Sequence, residues 1–292
     1  MTVRAVLLSG LLTLAACFGA AAQTEETPSA VTPAGTVSWS FSGPFGTYDR
    51  AQLRRGLTVY QGICRSCHGM KYLAFRQLSE PGGPELTDEE MRAVAATFMF
   101  PAVDESGEAT EREGKPADKF RSPYANDVLA ALSNSGTIPP DLTLMAKART
   151  LERPFSRSLV NLVTLNTESG ADYIHALLTG YRDPPEDFTG VAYNLVYPKN
   201  ATAMAQPFFD DQFDYPAGPD GNPEAPQTVD QYAQDVAAFL TWASDPRMEE
   251  RKSLGWKVLL YLALLAGLLI LCKKAVWAGA DRELRDGSGG EA

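Results

Sequence analysis

Cys64-Arg65-Ser66-Cys67-His68 holds two of the chain's four cysteines and one of its two histidines. C-x-x-C-H is the attachment signature of a c-type haem, and each position has its own chemical task. The two thiols, three positions apart, can add as thioethers to the two vinyl groups on one edge of a porphyrin. His68 follows at once and can offer the proximal nitrogen to the iron. Other uses of a C-x-x-C pair fit less well. A four-cysteine zinc site needs a second pair, and Cys17 and Cys272 each stand alone in an apolar run. A thioredoxin-like pair should follow a strand within a βαβ pattern, and the sequence offers none.

Upstream of the motif, Asp49 reads as a helix N-cap. Leu53, Leu57, Tyr60 and Cys64 recur at i, i+4, i+7 and i+11, one face of a helix, while Arg50, Arg54, Arg55 and Gln61 take the other faces. The motif therefore closes an amphipathic helix. Before it, Trp39, Phe41, Phe45 and Tyr48, spaced by Ser and Gly, are expected to lie across the domain surface as an arm without regular structure. Far downstream, Thr228-x-x-Gln231 reads as a capping box. Val229, Tyr232, Val236, Phe239, Leu240 and Ala243 then form an apolar stripe, with Pro246 just beyond it. An N-terminal helix ending in C-x-x-C-H and a C-terminal helix to pack across it resemble the class I cytochrome c fold. That resemblance implies a mainly α haem domain with inserted loops, and a methionine as sixth iron ligand on the loop before the last helix.

Met204, in Ala203-Met204-Ala205-Gln206-Pro207, stands in that region. Met70 is two residues from His68 and cannot reach the opposite ring face. Met145 falls in the helical run 142–148 and reads as packing, Met91 and Met99 lie in a helix-like segment starting near Thr87, and Met248 belongs to a membrane-proximal polar stretch. His175 is the one competing imidazole. It lies off the face formed by Ile174, Leu177, Leu178 and Tyr181, with Asp172 and Thr179, and reads as solvent-facing.

Both ends carry membrane signals. Residues 1–22, with Arg4, an apolar run and the ending Ala20-Ala21-Ala22, read as a secretory signal peptide cut after Ala22. Leu14-Ala15-Ala16-Cys17 also resembles a bacterial lipobox, a rival reading in which Cys17 is lipidated. Near the other end, Val258 to Cys272 holds no charge, and residues 254–277 reach the length that crosses about 30 Å of hydrocarbon. Trp256 and Trp277 fit interfacial positions, and Lys257, Lys273 and Lys274 can snorkel. With the signal peptide, this places an exported domain at 23–248, a transmembrane helix at 254–277 and a cytoplasmic tail at 278–292.

Net charge is −10, which disfavours nucleic acid and favours a basic protein partner. The acid is grouped: Asp104, Glu105, Glu108, Glu111 and Glu113; Asp183, Glu186 and Asp187; Asp210, Asp211, Asp214, Asp220 and Glu224. With two cysteines in the motif, no disulfide framework remains.

Several ordered segments go further. Arg54-Arg55-Gly56-Leu57-x-Val59-Tyr60 runs into Cys64-x-x-Cys67-His68-Gly69-Met70-x-Tyr72, followed by Gly136-x-x-Pro139-Pro140-Asp141-Leu142 and Ala146-x-Ala148-Arg149. Then come Asp172-Tyr173-x-x-x-Leu177-Leu178-Thr179-Gly180-Tyr181 and Asp235-Val236-x-x-Phe239-Leu240-x-Trp242-Ala243. Together with a single C-terminal span, they resemble the cytochrome c1 family, the haem subunits of quinol:cytochrome c reductase (bc1) complexes, over roughly residues 41–277. The resemblance implies one covalent haem c on Cys64 and Cys67, with His68 and Met204 on the iron. It also implies Arg149 near a haem propionate and Pro140, with Pro139, in the pocket wall. Family members often continue with prolines where this chain has Ala205-Gln206-Pro207, some bacterial relatives carry a disulfide this chain lacks, and 150–170 looks like a variable insertion.

The implied activity is one-electron transfer from a Rieske iron–sulfur subunit to a soluble or membrane-anchored cytochrome c acceptor, beside cytochrome b. The setting is a dimeric complex in a bacterial inner membrane, with the haem domain in the periplasm. Three rivals remain: a free-standing anchored cytochrome c carrier, a haem-based ligand sensor, and a haem peroxidase. The last needs distal acid–base groups for which only His175 is left.

Overall fold

The computed structural model describes residues 37–149, 169–217 and 223–287. The signal peptide, Cys17, residues 150–168 of the insertion and residues 288–292 lie outside them. In chain order come α1 (Arg50–Gly62), β1 (Met70–Ala74), α2 (Asp88–Ala96), and the hairpin of β2 (Met99–Val103) and β3 (Ala109–Glu113). Next are β4 (Lys119–Phe120), α3 (Asp127–Ser133), α4 (Met145–Ala148) and α5 (Ser169–Thr179). The short strands β5 (Ala192–Tyr193) and β6 (Ala201–Thr202) precede α6 (Val229–Ser244) and α7 (Met248–Gly287). The strands form three separate two-stranded antiparallel pairs, β1–β4, β2–β3 and β5–β6, so the domain is mainly α.

α1 and α6 form the centre. Asp49 caps α1 through the amides of Ala51 and Gln52, at 2.9 and 3.3 Å. Thr228 caps α6 through the Gln231 amide at 3.3 Å, while the Gln231 side chain donates onward to Asp235 at 2.9 Å, so only the threonine half of the expected box is made. Leu53, Leu57 and Tyr60 of α1 pack with Tyr232, Val236, Phe239 and Leu240 of α6. Close crossing requires Gly56, because a Cβ there would fall onto the Asp235 carbonyl and lie 2.7 Å from Phe239 Cβ. A second aromatic group, Phe75, Phe98 and Phe120, joins the helices through Tyr60.

The crossing also buries an ion pair. Asp235, fully buried, accepts from Arg55 at 2.9 and 3.1 Å, from Tyr215 at 2.8 Å and from Gln231. Four donors saturate the carboxylate, which is the condition for keeping a buried charge.

Four expectations are corrected. The aromatic arm has no regular structure, as expected, but only Phe45 stays at the surface: Trp39, Phe41 and Tyr48 are core residues, and Trp39 Nε1 donates to the buried Asp172 at 2.8 Å. His175 is buried, not solvent-facing. Its Nε2 sits 2.9 Å from Asp230, and the Trp39 ring lies edge-on to it. The arm covers a second face of α5, so that helix is buried on more than its Ile174 stripe. Met99 leaves the helical segment and opens β2, and Met248 is a buried core residue at the start of α7. The acidic segment 104–113 proves to be the turn and second strand of the β2–β3 hairpin, tied down by Arg112 on Asp118 at 2.6 and 3.0 Å.

α7 is long and apolar enough to cross a membrane, and none of its apolar stretch is buried against the domain. Among the described residues the chain is thus a mainly α domain with inserted hairpins and one candidate membrane span.

Candidate functional site

α1 stops at Gly62 and the backbone tightens into a 3₁₀ turn over Cys64–Ser66. The Cys67 and His68 amides both return to the Cys64 carbonyl, at 3.2 and 2.8 Å. This curl draws the two cysteines and the histidine into one turn at the helix end. Tyr60, one turn back and fully buried, donates its hydroxyl to the His68 carbonyl at 3.1 Å. Gly69 is obligatory next to it, since a Cβ would lie 2.6 Å from the Ser122 amide.

His68 Nδ1 lies 2.7 Å from the Pro140 carbonyl oxygen. A carbonyl can only accept, so Nδ1 carries the proton and the Nε2 lone pair is left for another partner. Such a carbonyl contact is the usual device for orienting a metal-ligating imidazole. Burial pushes the His68 pKa down, against the opposing pull of the Pro140 carbonyl and the nearby Asp141 charge. The neutral ring is therefore favoured.

The Pro140 carbonyl is itself held in place. Asp141 accepts from the Lys71 amide at 2.7 Å and from the Thr143 amide and hydroxyl at 3.0 and 2.6 Å. The Leu142 amide donates to the Gly69 carbonyl at 2.9 Å, and the Tyr72 amide to the Thr143 hydroxyl at 3.3 Å. Segments 69–72 and 140–143 are thus zipped side by side. Asp141 was legible only as part of the Pro139-Pro140-Asp141-Leu142 motif. Its positioning task depends on a pairing across about seventy residues that no local pattern announces.

Cys64 and Cys67 are free thiols. Burial, with a smaller push from Cys67, moves the Cys64 thiol up to about 12. That is the reverse of a thioredoxin-like pair, whose nucleophile has a lowered pKa. Among the described residues no three His, Cys, Asp or Glu side chains group as a metal cage. A neutral imidazole with a free Nε2, beside two uncrosslinked thiols on one turn, matches the donor set of a c-type haem.

Met204 sits on a different support. It follows β6, half-buried and packed on the edge of the core. Its amide donates to the Thr202 hydroxyl at 3.1 Å, and its carbonyl accepts from the buried Tyr181 hydroxyl at 3.0 Å. The turn between β5 and β6 places Lys199 and Asn200 at φ 59° and 54°, a left-handed bend that sends the chain back towards α6. Four residues past Met204, the fully buried Phe208 anchors the loop against Tyr232.

Arg149 ends α4, exposed, and its charge acts on the half-buried Tyr173 hydroxyl, which burial otherwise raises. The structure therefore joins His68 to Pro140 directly, while Met204 and Arg149 stand on separate segments. His175 is engaged elsewhere, on Asp230.

Fold and site together define a c-type haem protein of the class I cytochrome c type. The description "Cytochrome C1 family" matches residues 39–280. The chain is 41% identical to cytochrome c1 of Blastochloris viridis over 252 residues, 85% of this chain and 87% of that protein. It is 38% identical to cytochrome c1 of Rhodospirillum rubrum over 299 residues, 94% of this chain and 96% of that one. It is also 42% identical to the cytochrome b/c1 protein of Bradyrhizobium diazoefficiens over 245 residues, 82% of this chain but only 35% of that longer protein. The chain belongs to the cytochrome c1 family. Membership brings a covalently bound c-type haem, a membrane anchor and an electron-transfer role in a bc1 complex, with cytochrome b and Rieske subunits as its companions.

Proposed function

We propose that this chain accepts one electron at a time from the Rieske iron–sulfur subunit and delivers it to a cytochrome c acceptor, soluble or membrane-anchored. A c-type haem, when bound, supplies a reversible one-electron couple. Cys64 and Cys67 would hold it as thioethers, His68 would ligate through Nε2, and Met204 would supply the sixth donor. The sequence contains one C-x-x-C-H, so one haem per chain is proposed. Arg149 would pair with a propionate in a charge-assisted bond, and Pro140 would wall the pocket while orienting His68. The observation that carries this reading is the 2.7 Å contact between His68 Nδ1 and the Pro140 carbonyl.

The chain's own contribution is positioning and tuning. The Asp141 zipper fixes the imidazole, and the neutral Met204 thioether would favour the reduced state and raise the potential. Asp104, Glu105 and Glu108 at the hairpin tip, Asp183, Glu186 and Asp187, and Asp210, Asp211 and Asp214 are all exposed. They would steer a basic acceptor, with a docking rate that falls as salt rises. The Bradyrhizobium relative, whose name joins b and c1, supports cytochrome b as a neighbour. Residues 1–22 would be a signal peptide, 23–248 the periplasmic haem domain and 254–277 the span, in a complex that is itself dimeric.

The test is a reduced-minus-oxidised optical spectrum of the protein purified in mild detergent through a C-terminal tag. Bands of b-type haem in fixed ratio to the c-type band support the complex. A c-type band alone favours a free-standing carrier, and carbon monoxide binding to the reduced haem favours a ligand sensor.

A further inference from the structure

The N-terminal arm grips the first turns of α7 as well as the haem domain. Lys252 Nζ donates to the Phe41 carbonyl at 2.6 Å. Glu249 accepts from the Tyr48 amide at 2.8 Å and from Arg50 at 2.6 and 2.9 Å. Between these ties the chain loops out through Gly43-Pro44-Phe45-Gly46, turning on Gly43 at φ 70°. The loop carries no charged side chain. Phe45 at its tip is 71% exposed, yet it is fixed, edge-on to Trp256 with ring centroids 5.6 Å apart.

Trp256 gives the loop a height. It precedes the uncharged run that begins at Val258 by two residues, or ~3 Å along a helix axis. The polar layer on each side of a bilayer is roughly 5–7 Å thick. A phenyl ring in contact with the Trp256 indole is therefore level with that layer. We propose that the 43–46 loop dips into the bilayer interface on the haem-domain side, with Phe45 and Trp256 as one aromatic anchor. This placement rests on α7 crossing the membrane. A lipid surface suits the loop for three reasons: its tip is apolar and uncharged, aromatic rings favour this depth, and Lys257, next to Trp256, brings positive charge for lipid phosphates. With one contact on α7 and a second on the arm, the domain is held at a set tilt instead of swinging on a tether.

The experiment uses the whole complex in nanodiscs of phosphatidylcholine and phosphatidylglycerol, on a Cys272→Ala background. Nitroxide labels are placed at Phe45→Cys, at the exposed Thr47→Cys beside the loop, and at Leu264→Cys within the span. Collision with oxygen, which concentrates in lipid, is compared with collision with a water-soluble nickel chelate. The expected result is oxygen preference several-fold at Phe45→Cys, stronger preference at Leu264→Cys, and nickel preference at Thr47→Cys. Nickel preference at Phe45→Cys would put the loop in water and overturn the proposal. Protection from both reagents would show that another subunit covers it, and would overturn it equally. Nickel preference at Leu264→Cys would instead sink the membrane span itself. Because Phe45 is exposed, an unchanged haem spectrum is expected for its variant and checks that the label has not perturbed the fold.

Discussion

His68 is gripped by the packed centre of the molecule, whereas Met204 hangs on a hairpin loop secured by single hydrogen bonds. On the first side, the α1–α6 crossing, the Tyr60 hydroxyl and the Asp141 zipper all converge on one turn. On the second side, Thr202, Tyr181 and the Phe208 anchor do the holding, next to a left-handed turn. The proposed attachment residues Cys64 and Cys67 and the proposed proximal ligand His68 belong to the rigid side. The proposed sixth ligand belongs to a segment held by two hydrogen bonds and the Phe208 anchor, outside the helix crossing. The two sides should therefore break differently: damage to the helix crossing should appear as lost stability, and damage to the loop as a changed potential.

The sharpest separation comes from Met204→Leu. The covalent haem should remain, because Cys64 and Cys67 lie on the other side. The midpoint potential should fall by a substantial part of the ~0.8 V range that axial ligands span. A redox titration checks this, and steady-state reduction of cytochrome c should stop. Normal turnover would remove Met204 from the iron.

Arg55→Ala should do the opposite, leaving the Asp235 carboxylate buried without its cation. Breaking such a pair costs ~3–5 kcal/mol, so thermal or denaturant unfolding should move sharply downward. The potential of the fraction that remains folded should hardly change. A shifted potential with unchanged stability would mean that the crossing is not the structural half of the molecule.

Tyr181→Phe tests the loop more gently. It removes one hydrogen bond to the Met204 carbonyl, worth ~1 kcal/mol. Binding of an external ligand such as imidazole to the oxidised haem should strengthen about fivefold. Equal binding by both proteins would show that the tyrosine does not position the loop.

The smallest effect belongs to the hairpin. Hydrogen bonding to Arg112 is the largest influence on Asp118 and holds its carboxyl down at about 2. A carboxylate with a lowered folded pKa stabilises above its unfolded value, ~3.9, and that contribution fades as pH falls through the folded one. Asp118→Asn should therefore lower the melting temperature slightly at neutral pH, with a difference that shrinks as pH falls towards about 2 and vanishes below it. The pair lies half-buried at the surface, where solvent screening keeps the shift small.

The same contrast explains what could be read from the sequence. α1, α6 and the haem motif are local patterns, a cap, a 3.6-residue stripe and a spacing, and they were legible. The arm was not. Trp39, Phe41 and Tyr48 follow no period, and their burial arises from contacts with α5, α6 and α7 more than a hundred residues away. His175 was misplaced for the same reason, since the Ile174 stripe identified one buried face and the arm supplies another. Arg55 looked like one polar residue among several. Only the crossing, closed by Gly56, shows that it faces Asp235. The hairpin at 99–113 stays near the surface, and β2 is an unbroken apolar run, Met99 to Val103, even though only Phe100 and Ala102 turn inward, so no hydrophobic alternation marked it.

The most direct measurement is near-infrared magnetic circular dichroism of the oxidised protein in its complex, which reports the axial ligand pair of a ferric haem. A histidine–methionine signature that disappears in Met204→Leu is the predicted result. A bis-histidine signature, or a methionine signature that survives the substitution, would contradict the assignment of the rigid and adjustable sides to His68 and Met204.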